Sequence, residues 1–138
     1  MYVDSITNGI VLDHIRAGQS MEIYGILGLA ELDCPVAIIK NAISRRMGRK
    51  DMIKIDAELP IDLDVLGFID PGITVNVIKN GKLVEKKHLE LPEQVRGVLR
   101  CKNPRCITTT EQELDQVFKL TDRKNRVYRC IYCESKAK

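Results

Sequence analysis

"ITVNVIKNGKLVEKKHL", residues 73–89, reads as two strands folded back on each other. Thr74, Val75, Val77 and Ile78 are β-branched, the side chains that sit best on a pleated surface. Between the two runs stands Asn80-Gly81, a pair that supplies the positive φ angles of a type I′ turn. A hairpin this clearly marked commits the chain to antiparallel pairing, and an antiparallel sheet needs a cover on one face.

The residues upstream provide both the remaining strands and the cover. "GIVLDHI" (9–15) is a strand by its β-branched content, opened by Gly9. From Ala17 to Ala30 the apolar residues Met21, Ile23, Tyr24, Leu27 and Ala30 recur at helical spacing, with Gln19 and Glu22 between them. "PVAIIKNAI" (35–43) is a second strand, and "DMIKIDAEL" (51–59) a third that alternates Met52, Lys54 and Asp56 with Ile53 and Ile55. "IDLDVLGFI" (61–69) places Ile61, Val65, Leu66 and Ile69 on one helical face, and Asp70-Pro71-Gly72 ends that helix. The order is βαββαβ with one additional strand. Two helices on one face of an antiparallel sheet in this order make a ferredoxin-like α+β layer. In so small a domain an open sheet edge is costly, so pairing with a second copy of the chain is expected.

Composition describes an ordinary globular chain of 138 residues, 44% hydrophobic and 30% charged. Tryptophan is absent and aromatics make up 4%, so the core rests on Ile, Leu and Val. No apolar run approaches the ~20 residues that span a bilayer, and "MYVDSITNGI" has neither a basic nor an apolar leader region. A cytoplasmic protein with no membrane partner is expected. The net charge of +3 is uneven: residues 1–100 sum to −1 and residues 101–138 to +4. Four of the five cysteines, Cys101, Cys106, Cys130 and Cys133, share that basic tail, while Cys34 stands alone. The chain is therefore expected to divide into domains 1–95 and 96–138.

"CKNPRC" is Cys-x4-Cys and "CIYC" is Cys-x2-Cys, with 23 residues between the pairs. Two short cysteine pairs, each on a turn, bring four thiolates to the corners of a tetrahedron about 2.3 Å from a zinc ion. Disulfides, unliganded thiols and iron–sulfur ligation are the alternatives, and a reducing compartment favours the metal. "QVFKL" and "RVYRC" (116–120 and 126–130) look like strands of a small zinc-ribbon-like β unit. Four cysteine ligands leave no position for a reactive water, so this zinc is structural. The basic residues Arg123, Lys124, Arg126 and Arg129 fit a nucleic-acid-binding surface, a protein-docking knuckle or a solvated face equally well.

The neighbours Asp13 and His14 fit a catalytic acid–base pair, half of a metal site, a ligand clamp or a plain strand end. No nucleophile, oxyanion donors or open metal accompany them nearby in sequence, so an enzyme is not expected.

Taken together, "VLDHI" (11–15), "MGRKDMIKI" (47–55), "TVNVI" (74–78), Leu91-Pro92 and the C-x4-C…C-x2-C cluster resemble the regulatory chain of aspartate carbamoyltransferase, in order and over essentially the whole chain. The resemblance implies a non-catalytic allosteric subunit of pyrimidine biosynthesis. It would have a dimerising, nucleoside triphosphate-binding ferredoxin-like domain and a four-cysteine zinc domain that docks the catalytic chain. CTP, ATP and UTP would be the effectors. The base would lie near Ile6 against Val11 and Leu83, and the ribose would meet Asp13 and Lys54. His14 and Lys86 would take the phosphates, with Arg49 and Lys50 of the 47–51 turn as secondary contributors. Cys101, Cys106, Cys130 and Cys133 would hold one zinc per chain. The rival is a zinc-ribbon nucleic-acid-binding protein with an unrelated dimerisation domain.

Two geometric expectations accompany these assignments. Strict alternation puts Lys86 on one face with Val84 and Lys82. Neighbours on a regular strand point to opposite sides, so for Asp13 and His14 to touch one nucleotide the strand must end or bulge near Asp13.

Overall fold

Gly9 opens the first strand for a steric reason. A Cβ there would run into the carbonyl oxygen of Ile55 on the neighbouring strand and the side chain of Ile6. In the computed structural model, which describes residues 5–111 and 113–137, the chain forms two compact units, 1–89 and 90–138.

The first unit runs β1 (Gly9–Arg16), α1 (Ser20–Ile26), a 3-10 turn (Leu29–Glu31), β2 (Val36–Ser44), β3 (Gly48–Ile55), α2 (Leu63–Ile69), β4 (Thr74–Lys79) and β5 (Lys82–His88). The five strands form one sheet in the order β2-β3-β1-β4-β5, and every neighbouring pair is antiparallel. The first four strands have the ferredoxin-like arrangement, and β5 extends it as the second arm of the hairpin. Asn80 and Gly81 take φ angles of 53° and 75°, as the turn requires.

The core lies between one sheet face and the helices. Ile10, Leu12, Ile15, Ile53, Ile55 and Val75 from the strands meet Ile23 of α1, Leu29 and Leu66 of α2. Each such side chain contributes roughly 1.5–3 kcal/mol through burial, which makes this face the main source of stability. α1 is shorter than its apolar spacing predicts. Gly28 adopts a left-handed φ of 65°, the helix stops at Ile26, and Met21 and Ile26 are left exposed. α2 begins on Asp62, whose Oδ1 accepts from the N–H groups of Asp64 and Val65 at 3.1 and 3.2 Å. A cap of this kind contributes about 1 kcal/mol.

The second unit contains β6 (Gln94–Arg96), α3 (Ile107–Thr110), β7 (Val117–Asp122) and β8 (Val127–Cys130), with strand order β6-β7-β8. β6 pairs with β7 and Val95 is buried, so residues 90–95 group with the second unit. Val95, Val117, Phe118, Leu120 and Tyr128 form that core beside the buried Cys101, Cys106 and Cys130.

Candidate ligand face and metal cluster

The helices cover one side of the five-stranded sheet, and the site residues gather on the other. Register joins Ala37 to Lys54, Lys54 to Val11, Val11 to Asn76 and Asn76 to Lys86, one row across all five strands. Residues paired in register share a face, so Lys54, Val11, Asn76 and Lys86 stand side by side on the open face. Between Val77 and Ile78 the β4–β5 register shifts, leaving Val84 as the extra residue. The shift corrects the strict alternation expected of β5: Leu83, in register with Ile78, joins the face of Lys86. Upstream, Thr7 accepts from the Gly81 N–H at 2.9 Å and the Asn8 side chain from Asn80 N–H at 3.1 Å, which holds the segment containing Ile6 against the hairpin tip.

Asp13 and His14 reach the same face through a bulge. β1 pairs Leu12 with Ile53 and then Ile15 with Asp51, so Asp13 and His14 together oppose the single residue Met52. Leu12 and Ile15 are both fully buried in the core, which sends the two residues between them to the open side. His14 has a φ of 58°, a left-handed conformation that costs an ordinary residue on the order of 1 kcal/mol. Its Nδ1 lies 3.1 Å from the Thr74 hydroxyl, and its N–H donates to Asp13 Oδ1 at 2.7 Å. The condition for both residues to address one ligand is met.

Lys50 completes the centre, with Nζ 2.8 Å from Asp13 Oδ1 and both side chains mostly buried. Burial acts to raise the pKa of Asp13, but the hydrogen bond from Lys50, the His14 N–H and the positive charge of Lys50 hold it below the ordinary carboxylate value. Burial lowers the pKa of His14, and the cations Lys50, Arg46 and Lys86 lower it further against the pull of Asp13. The positive charges of Lys50, Arg46 and Lys86 are thus all felt at His14. Arg46 and Thr74 belong to this centre although nothing local in the sequence marks them. Asn76 belongs too, and its Oδ1 is buried with no hydrogen-bond partner among the described residues. Arg49 points elsewhere: its guanidinium donates to the Asn41 carbonyl at 3.3 Å.

In the second unit the ligand atoms of Cys101, Cys106, Cys130 and Cys133 lie within 4.8 Å of one another. Cys101 and Cys133 sulfurs are 3.4 Å apart, and those of Cys106 and Cys130 are 3.7 Å apart. Tetrahedral thiolates on zinc stand ~3.8 Å apart, so the cluster has the size of a single-ion site and no disulfide. The Thr108 hydroxyl donates to Cys106 Sγ at 3.1 Å, support of the kind that orients a metal ligand. Burial and its sulfur neighbours push Cys101 up to about 12, whereas the Ser135 hydroxyl draws Cys133 down to about 6. Four sulfur donors suit one structural Zn2+, with no position open to substrate.

A ferredoxin-like sheet with basic side chains on its open face, followed by a small unit holding four clustered thiols, defines the class: a two-unit, metal-binding α+β chain. Comparison with known proteins makes this specific. Residues 1–90 match the family "Aspartate carbamoyltransferase regulatory chain, allosteric domain", and residues 93–138 match "Aspartate carbamoyltransferase regulatory chain, metal binding domain". A regulatory chain of that name from Clostridium botulinum (strain Hall) is 52% identical over 132 residues, 96% of this chain and 90% of the relative. One from Bifidobacterium longum is 47% identical over 138 residues, 100% of this chain and 99% of the relative. The chain belongs to the aspartate carbamoyltransferase regulatory chain family, and is a non-catalytic subunit of pyrimidine biosynthesis. The nucleic-acid-binding alternative is not favoured, since both units match this one family in order.

Proposed function

We propose that the open face of the first unit binds nucleoside triphosphates, CTP, ATP and UTP, and that the second unit carries the resulting signal to the catalytic chain of aspartate carbamoyltransferase. The observation that carries this reading is the bulge that sets Asp13 and His14 together on the open face, with Lys50 paired to Asp13 and with Lys54 and Lys86 in the same row of the sheet. Val11 and Leu83 offer an apolar wall for a base. Among the described residues both contacts to Asp13 use Oδ1, which leaves Oδ2 to accept from a ribose hydroxyl, and Lys54 stands on the next strand in register with Val11. His14, Lys86 and their basic neighbours meet the roughly four negative charges of a triphosphate.

Two further surfaces support the assembly. β2 is an edge strand with Ile43 80% exposed, which suits a regulatory-chain homodimer. Ile107, Ile131 and Tyr132, next to the metal ligands, are exposed apolar side chains suited to the catalytic chain. Bound nucleotide acts only through its different affinity for the two states of that assembly, and the metal keeps the docking unit rigid. A cytoplasmic location fits this role.

Isothermal titration of CTP and ATP into the full chain tests the sensor. Lys86→Ala is expected to weaken both by about tenfold or more, the contribution of one charge-assisted contact. Equal affinity in wild type and variant would remove the assigned site.

Binding is also expected to take up a proton. In the free chain the pKa of His14 is lowered, so the ring is neutral at pH 7.5, and a phosphate beside it stabilises the charged form. Affinity should therefore rise severalfold as pH falls from 7.5 to 6.5. The free fold meanwhile loses His14's contribution as pH falls below its unfolded pKa, since the unfolded chain binds that proton more readily. Comparing Kd against pH for wild type and His14→Ala separates this from titration of the nucleotide itself. Identical slopes in the two proteins would show that His14 does not touch the phosphates.

A further inference from the structure

We infer that Asp51 is a positioning residue for the ligand face: its buried carboxylate clamps β2 at its bulge and the chain just beyond β1, and thereby holds Asp13, His14 and Lys50 in the arrangement that receives the nucleotide. The inference rests on the nucleotide reading of that face.

Asp51 is the one charged residue among the buried side chains of the described residues, with 0% exposure. It lies in β3 on the core face, in register with Ile15 of β1. No lysine or arginine pairs with it among the described residues; backbone N–H groups surround it instead. Asn41 N–H donates to Oδ1 at 2.8 Å, and Gly18 and Ser20 N–H donate to Oδ2 at 3.1 and 3.2 Å. Burial acts to raise its pKa, but the neighbouring Ser20 hydroxyl and these three donors outweigh it and keep the group ionised.

The donors come from telling places. β2 pairs Ile39 with Met52 and Ala42 with Lys50, so Lys40 and Asn41 together oppose Asp51 in a second two-for-one bulge. Asn41 has a φ of 62°, in the left-handed region that asparagine tolerates better than most side chains. Gly18 lies in the connection that leaves β1 after its bulge, and Ser20 opens α1. One carboxylate therefore ties down β2 at its bulge and the segment that follows β1, within a few residues of the β1 bulge. Those irregularities are what put Asp13 and His14 on one face. Lys50, the residue before Asp51, projects to the opposite side of β3 and ends on Asp13. Removing the carboxylate leaves three N–H groups unpaired in the core and frees both bulges to readjust. The core face keeps its apolar packing, so the loss registers on the ligand face.

The test uses the full zinc-loaded chain, CTP calorimetry and an NMR titration of His14. Asp51→Asn offers one acceptor oxygen and turns an NH2 group toward the remaining donors. At a temperature where its far-UV spectrum equals that of wild type, it is expected to bind CTP at least fivefold more weakly, with the His14 pKa moved toward its ordinary value. Asp62→Ala is the control for mere destabilisation. It removes a cap of α2 on two N–H groups, and should lower Tm while leaving CTP affinity and the His14 titration unchanged. Wild-type CTP affinity in Asp51→Asn, or an equal loss in Asp62→Ala, overturns the inference. Failure of the nucleotide reading looks different: wild type binds neither CTP nor ATP, or Lys86→Ala changes nothing. A measurement on wild type alone stands if Asp51→Asn does not fold. CTP should slow hydrogen exchange at the Gly18, Ser20 and Asn41 amides, which touch no ligand, because the coupling is reciprocal. Unchanged exchange there also overturns the inference.

Discussion

Stripping the metal from the full chain with a strong chelator is expected to unfold residues 90–138 and leave the five-stranded sheet of residues 1–89 folded. The two units draw on different sources of stability. The first has a continuous Ile/Leu/Val core between sheet and helices. The second has a three-stranded sheet, a four-residue helix and a core of about five side chains grouped around the cysteines. Cores of that size seldom suffice without a staple, and structural zinc in small modules contributes on the order of 10–16 kcal/mol. The expected result is a partial loss of far-UV signal, loss of the near-UV signal of Tyr128, and recovery of both when Zn2+ is returned. Association with the catalytic chain should disappear and return in parallel, because the exposed Ile107, Ile131 and Tyr132 flank metal ligands. A second unit that keeps its tertiary signal without metal would show that the cysteines do not supply its stability.

The parts of the molecule readable in the sequence are those whose cause is local. Asn80-Gly81 dictates its turn through two φ angles, and the spacing of the cysteine pairs pointed to the cluster in which the four sulfurs meet. The alternation of Ile53 and Ile55 with Lys54 survives intact in β3. What escaped depends on register, which joins residues far apart. Lys50 meets Asp13 because Arg16 pairs with Lys50 after a bulge, and no local pattern announces a bulge of one residue. The same holds for Val84, whose insertion moved Leu83 onto the face of Lys86. In β1 the bulge was legible only as a condition that function imposed on Asp13 and His14. α1 shows the converse: its apolar spacing ran to Ala30, but Gly25 and Gly28 were the available signals of an earlier end. Arg46 and Thr74 carry no motif, and only the folded sheet brings their influence to His14.

Lys50→Glu is expected to abolish useful nucleotide binding, with CTP affinity falling more than ~100-fold. Two effects act in the same direction. The substitution removes the cation nearest the centre, a contribution of about 1.5–3 kcal/mol for a charge-assisted contact. It also sets a second carboxylate against Asp13, where Lys50 Nζ now lies 2.8 Å from Oδ1 and the two side chains are only 17% and 15% exposed. A triphosphate would then approach two negative charges instead of a neutral pair. Lys50→Met keeps the apolar stem and removes only the charge, so it should lose about tenfold. The stability of the free chain provides an independent reading with a definite sign. In wild type the lowered pKa of Asp13 gives a contribution that is present above the unfolded carboxylate pKa and lost as pH falls through the folded one. In Lys50→Glu two carboxylates share a site, one pKa is raised, and the repulsion is relieved as that group takes up a proton. Thermal melts at pH 5 and pH 7.5 should therefore diverge. The Tm deficit of Lys50→Glu relative to wild type should be large at pH 7.5 and shrink at pH 5, whereas that of Lys50→Met should narrow less. Parallel melts in all three proteins would mean that Lys50 and Asp13 do not meet in solution, and the centre built on their contact would have to be redrawn.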